Sequence, residues 1–75
     1  MSEPGYREQL ERVDADLARM RQEVAEMRRE IGERSAGATD AAEMATVFTN
    51  VEQQEALIED LEIRRRQLLQ RLEKE

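Results

Sequence analysis

The fold of this chain is decided by residues 6–31, whose sequence is YREQLERVDADLARMRQEVAEMRREI. The steps between the large apolar residues in this stretch alternate between four and three. That alternation is the heptad repeat of a helix that buries one narrow stripe against another helix. The stretch therefore predicts a coiled-coil helix that needs a partner. Its apolar stripe consists of Tyr6, Leu10, Val13, Leu17, Met20, Val24, Met27 and Ile31.

A break in the heptad follows and predicts a loop. Residues 32–40, GERSAGATD, include two glycines, a serine and a threonine, which is a turn signal. Asp40 and Glu43 are spaced as a capping box, a pairing that begins helices. We therefore expect helix 1 over about 4–33, a loop over about 34–39 and helix 2 over about 40–73.

The second helix continues the heptad with a wider apolar stripe. Phe48 and Leu69 widen the stripe on one flank, and Leu57 widens it on the other. A wide stripe is typical of a helix that has more than one neighbour. We expect the stripes of both helices to form the core of the protein and the interface between two copies. The seam positions of helix 2 hold Met44, Val47, Val51, Ile58, Leu61, Leu68 and Leu72, with Gln54 and Arg65 as polar members.

Folding the chain back at the loop matches the two stripes in length. Antiparallel pairs whose residue numbers sum to 78 set Tyr6 opposite Leu72 and Leu17 opposite Leu61. We therefore predict an all-α fold, an antiparallel two-helix coiled-coil hairpin that is a single domain. The exposed charges beside the seam favour this antiparallel register only weakly. The flanking pairs expected in this register are Asp16 with Arg64 and Arg21 with Glu55, which attract, and Asp14 with Glu62, which repel.

The small size of the chain predicts self-association. A chain of 75 residues buries little surface, and small folds usually rely on disulfides, metals or oligomerisation. Cysteine and histidine are both absent, so disulfides and Cys/His zinc sites are excluded. We expect two hairpins to pack face to face as a homodimeric four-helix bundle. The alternative is an extended helix 1 in a parallel coiled coil, where Asp16 would pair with Arg21 of the facing chain.

The densest local charge is formed by Arg64, Arg65 and Arg66. Such a cluster can bind an anion, an acidic partner or nucleic acid, or it can be a solvated face that the helix macrodipole favours. Arg65 lies at a seam position, so its guanidinium must extend out of the seam or bond to an acid such as Asp14 or Glu62.

Two polar residues interrupt the seam of helix 2, Gln54 and Arg65. Buried polar groups can fix register at a cost in stability, so both are candidates for a register or partner role. The acids Glu55, Glu59, Asp60 and Glu62 lie outside the seam, and the Glu-x-x-His pair of bundle metal sites is absent. We therefore predict no metal site.

Composition limits the remaining functional classes. No Gly-rich phosphate loop, reactive thiol or catalytic triad occurs, so we expect neither an enzyme nor a bound cofactor. The net charge of −6 disfavours nucleic acid, and no apolar run is long enough to span a membrane. Residues 1–5 are polar and unlike a signal peptide, so we expect a cytoplasmic protein. The preference for Arg over Lys, with Lys74 the single lysine, suggests a GC-rich bacterial genome.

The pattern as a whole favours a small interaction protein, a homodimeric hairpin that binds a protein partner as a regulator or scaffold. The alternative is an anion-binding or nucleic-acid-associated module that uses the arginine cluster.

Overall fold

The computed structural model describes residues 5–34 and 41–74, without the side chain of Arg34. Helix α1 spans Tyr6–Arg34 and helix α2 spans Ala41–Glu73, and no strand occurs in the described residues. Helix α1 thus begins two residues after the expected start and includes Arg34, which the sequence had assigned to the loop. The rest of the predicted loop, and Asp40 of the predicted capping box, lie outside the described residues.

Local sequence explains both helices. The carbonyl of Gly5 accepts the first helical hydrogen bond, from the amide of Gln9 at 3.0 Å, so Gly5 is the N-cap residue of α1. In α2 the hydroxyls of Thr46 and Thr49 donate to the carbonyls one turn earlier, at 3.1 and 2.9 Å. These internal bonds let two β-branched hydroxyl residues occupy the helix without a polar neighbour.

The two helices pack side by side in opposite directions, as the matched stripes predicted. At one end of the rod the hydroxyl of Tyr6, in the first turn of α1, accepts from Arg71, in the last turn of α2, at 3.1 Å. The rod measures 56 × 23 × 14 Å along its principal axes. Within the described residues, neither helix combines the length and the apolarity that crossing a bilayer requires.

The core is one layer of side chains between the helices. Leu17 is the most enclosed, with 1% of its surface exposed, and it packs with Val13 and Leu68. All the buried side chains of residues 5–33 and 41–74 occupy predicted seam positions, and full burial of such a side chain is worth about 1.5–3 kcal/mol. The other apolar seam residues are only partly buried, because each helix has a single neighbour. The buried side chains are Val13, Leu17, Met20, Val24, Val51 and Leu68.

Candidate interaction surfaces

Two flanks border the seam, and bonds between the helices cross both of them. We call the surface formed by Arg21, Arg28, Glu55 and Glu62 the Arg–Glu flank. The other side of the seam, which we call the Leu57 flank, carries Gln9, Glu23, Leu57 and Arg64. These two flanks, and the outer face of α2, are the surfaces on which the hairpin can meet another molecule.

The Arg–Glu flank is a ladder of two ion pairs. Arg21 Nη2 lies 3.0 Å from Glu62 Oε1, and Arg28 Nη2 contacts Glu55 Oε1. A groove of about 320 Å³ lies along this flank, and the seam residues Val24 and Ile58 contribute to its lining. The four charged side chains are between 45% and 60% exposed, so each pair contributes roughly 0–1 kcal/mol to the free energy of unfolding.

The partner of Arg21 differs from the one expected from register. The sequence set Arg21 beside Glu55, whereas the structure pairs it with Glu62. Side chains on a helix lean toward its N-terminus, and the two helices run in opposite directions. Arg21 and Glu62 therefore lean toward each other, while Arg21 and Glu55 lean apart. Glu55 meets Arg28 by the same geometry.

Both polar seam residues of α2 have a partner on α1. Arg65 Nε donates to Asp14 Oδ1 at 2.6 Å, so Arg65 bonds to one of the two acids that the register placed within reach. Gln54 Nε2 donates to Glu23 Oε2 at 3.0 Å, a pairing that the seam positions alone did not indicate. No buried polar side-chain atom in the described part of the chain lacks a hydrogen-bond partner.

Most of the arginines near the end of α2 attach this helix to α1. Arg64 Nη2 donates to Gln9 Oε1 at 3.0 Å, in place of the expected pair with Asp16. Arg71 donates to the Tyr6 hydroxyl and lies 5.5 Å from the centre of its ring, a cation–π contact. Arg66 forms neither a side-chain hydrogen bond nor an ion pair within residues 5–34 and 41–74.

Asp16 pairs instead within its own helix. It lies 3.6 Å from Arg19, one turn later in α1. The expected repulsion between Asp14 and Glu62 is also relieved, because each of these acids bonds to an arginine across the seam.

Among the described residues three large apolar side chains are exposed, all on α2. Phe48 is 50% exposed and lies seven residues before Glu55, so it belongs to the end of the Arg–Glu flank. Leu69, partly buried, lies seven residues after Glu62 on the same line. At ~1.5 Å per residue, Phe48 and Leu69 are roughly 31 Å apart, with the ion-pair ladder between them.

The other two exposed apolar residues lie on different surfaces. Leu57 is 53% exposed on the Leu57 flank, beside a groove that Met27 and Gln54 also line. Ile63 is 41% exposed and occupies the heptad position that faces away from the seam. Ile63 is not among the residues predicted from the sequence, although an isoleucine at the outermost position of a helix was the available signal.

No arrangement suited to metal chemistry occurs among these surfaces. Within the described residues, no group of three or more acidic side chains is placed to hold a metal ion. The grooves on the two flanks are open and are lined by carboxylates, guanidiniums, amides and aliphatic groups. Such groups can form ion pairs, hydrogen bonds and apolar contacts.

Comparisons with protein-family models, with curated proteins and with solved structures found no match to this chain.

Proposed function

We propose that this chain is a non-enzymatic interaction protein that acts in the cytoplasm. In this proposal two hairpins form a homodimeric four-helix bundle, and the dimer binds a protein partner as a regulator or scaffold. The observation that carries the proposal is the half-exposed state of Phe48 and Leu57, one on each flank of the seam. A second hairpin packed on one flank would cover one of these two residues.

The thin core supports self-association. A single layer of side chains between two helices leaves most seam residues partly exposed to water. Small domains of this kind have a low free energy of unfolding as monomers. A second hairpin would remove more of this apolar surface from water. Folding and association would then be linked, and the melting temperature would depend on protein concentration.

The chemistry of the chain supports a role without catalysis. The sequence has no cysteine and no histidine, so the commonest nucleophile–base pairs cannot be assembled. The charged groups of the Arg–Glu flank instead lie in complementary pairs on a helical scaffold, an arrangement that suits recognition of another protein.

The nucleic-acid alternative has weaker support. Arg64, Arg65 and Arg71 bond to groups of α1, so an anion would have to compete for their donors. Arg66 alone would add little, because nonspecific nucleic-acid affinity grows with the number of phosphates neutralised. Binding of labelled DNA and RNA at two salt concentrations tests this alternative, and salt-sensitive binding at micromolar protein would favour it over a protein partner.

Mass in solution tests the homodimer. Light scattering at micromolar concentration should give about twice the chain mass of 8.8 kDa. Thermal melts over a hundredfold range of concentration should shift upward as the concentration rises. A folded monomer whose melting temperature does not depend on concentration would contradict the proposal.

A further inference from the structure

We infer that the second copy packs on the Arg–Glu flank with its turn end beside the turn end of the first. The turn end is the end of the rod where Arg34 and Ala41 lie. The inference rests on the proposed homodimer and adds its surface and its orientation. In this arrangement α2 of each copy lies against α1 of the other.

Two symmetric orientations are available to a pair of hairpins packed on one flank. If the two-fold axis runs along the rod, the turn ends coincide and each α2 faces the partner's α1. If the axis runs across the rod, the turn ends lie at opposite ends and α2 faces the partner's α2. Both interfaces are isologous, so the same flank meets itself in either case.

The charges of α2 disfavour the arrangement across the rod. Residues 52–62 contain five acids and no base, and full overlap of the rods would set this segment against its own copy. On the flank itself, Glu55 would face the partner's Glu62, and Glu62 the partner's Glu55. Phe48 would reach the partner's Leu69 at each end of this flank. The acid–acid contacts would form along the flank between these two apolar contacts. Like charges that face each other across an interface oppose association.

The arrangement along the rod sets opposite charges together. In the hairpin register Arg21 lies at a height between Glu55 and Glu62, and Arg28 lies between Phe48 and Glu55. A partner rotated about the long axis keeps these heights. The partner's Arg21 therefore comes between Glu55 and Glu62, and the partner's Arg28 comes between Phe48 and Glu55. The partner's Asp14 comes beside Glu62, but each of these two acids is already paired with an arginine of its own copy.

The groups on the flank have the capacity for these added bonds. Within one hairpin Arg21 uses a single nitrogen, Nη2, and Glu62 a single oxygen, Oε1. Arg28 and Glu55 bond in the same way. A guanidinium carries five N–H donors and a carboxylate has two oxygens, so each group can bond to both copies at once.

The apolar end of the flank fits the same orientation. The partner's Arg28 would lie at the height of Phe48, where a guanidinium can pack on the exposed ring. Phe48 thus gains a partner in the same rotation that completes the ion pairs. Leu57 lies on the other flank and stays outside this interface.

Distances between spin labels on the two copies decide the orientation. Because the sequence has no cysteine, a single introduced cysteine is the one site that a thiol-reactive label modifies. Ala56 and Gln70 are exposed and share the outermost heptad position of α2, away from both flanks. Ala56→Cys and Gln70→Cys are labelled and measured by pulsed dipolar spectroscopy in the full-length protein. Packing along the rod predicts nearly equal interspin distances at the two sites. Packing across the rod would separate the Gln70 labels by roughly 35 Å along the axis, and the Ala56 labels by only about 8 Å.

The possible label distances distinguish failure of the inferred orientation from failure of the proposed homodimer. A short distance at Ala56 with a much longer one at Gln70 would overturn the inferred orientation and leave the homodimer in place. No dipolar signal at either site, with a monomer mass, would remove the homodimer itself. Phe48→Arg in the labelled proteins should abolish the dipolar signal, because the new guanidinium would face the partner's Arg28, and Leu57→Arg should not. A dipolar signal that survives Phe48→Arg would overturn the choice of flank.

Discussion

Arg65 of α2 donates from Nε to Oδ1 of Asp14 of α1 at 2.6 Å, across 51 residues of chain. Arg65 occupies a seam position, yet its side chain is 43% exposed, because the bond draws the guanidinium toward the surface. The neighbouring residues one heptad away on that edge of α1 are Arg7 and Arg21. A slip of one heptad in either direction would therefore replace the bond to Asp14 by contact with another arginine.

Replacing Arg65 tests this register role. Arg65→Leu places an aliphatic side chain in the seam, so we expect the melting temperature to rise, with a gain of about 1 kcal/mol in the free energy of unfolding. We also expect more than one assembly in solution, because slipped pairings lose their penalty. Thermal melts and solution mass measure the two effects. A higher melting temperature with one unchanged mass would remove the register role, and a large loss of stability would mean that the bond to Asp14 outweighs apolar packing.

Reversing the charge of Asp14 tests the same relationship from α1. Asp14→Arg would add a fourth arginine to Arg7, Arg21 and Arg28, which lie at successive heptads on this edge, so Arg65 would repel α1 in every register. Asp16→Arg is the matched control, since the ion pair of Asp16 within the described part of the chain is with Arg19 of its own helix. We expect Asp14→Arg to lower the melting temperature by several degrees more than Asp16→Arg. Equal effects of the two substitutions would show that position 14 has no special role.

The different burial of two core leucines predicts that truncating them lowers the free energy of unfolding by different amounts. Leu17 is 1% exposed and Leu61, opposite it in the register, is only partly buried. Leu17→Ala should cost roughly 2–5 kcal/mol, as truncations of enclosed leucines do, and Leu61→Ala should cost less. Urea denaturation at one protein concentration gives both values. A larger loss for Leu61→Ala would indicate that Leu61 is more deeply buried in solution than in a single hairpin.

The exposed residues of the flanks predict which substitutions separate the dimer. Phe48→Arg should halve the mass measured by light scattering, because the new guanidinium would face the partner's Arg28, and should leave much of the helix signal in circular dichroism. Leu57→Arg introduces the same charge at a similarly exposed position of the other flank and should leave the mass unchanged. If Leu57→Arg separates the dimer and Phe48→Arg does not, the interface lies on the Leu57 flank.

The sequence by itself determined the two helices, their antiparallel order and their register. The heptads of residues 6–31 and the turn signal after them specify which face each helix buries, because a stripe repeating every 3.5 residues has one favourable side. The observed cross-helix bonds, such as Arg65 with Asp14, agree with the register derived from matching the stripes. Seam burial follows from the same pattern, since it depends mainly on periodicity.

Only the tertiary structure decided which charges pair and which apolar residues stay exposed. Arg21 bonds to Glu62 and not to Glu55, because the lean of side chains toward each helix N-terminus shifts partners along an antiparallel pair. Phe48, at an edge of the seam, is half exposed because one neighbouring helix cannot cover both edges of a wide stripe. Long flexible side chains can reach several partners at similar energies, so their choice depends on three-dimensional direction, which heptad positions do not contain.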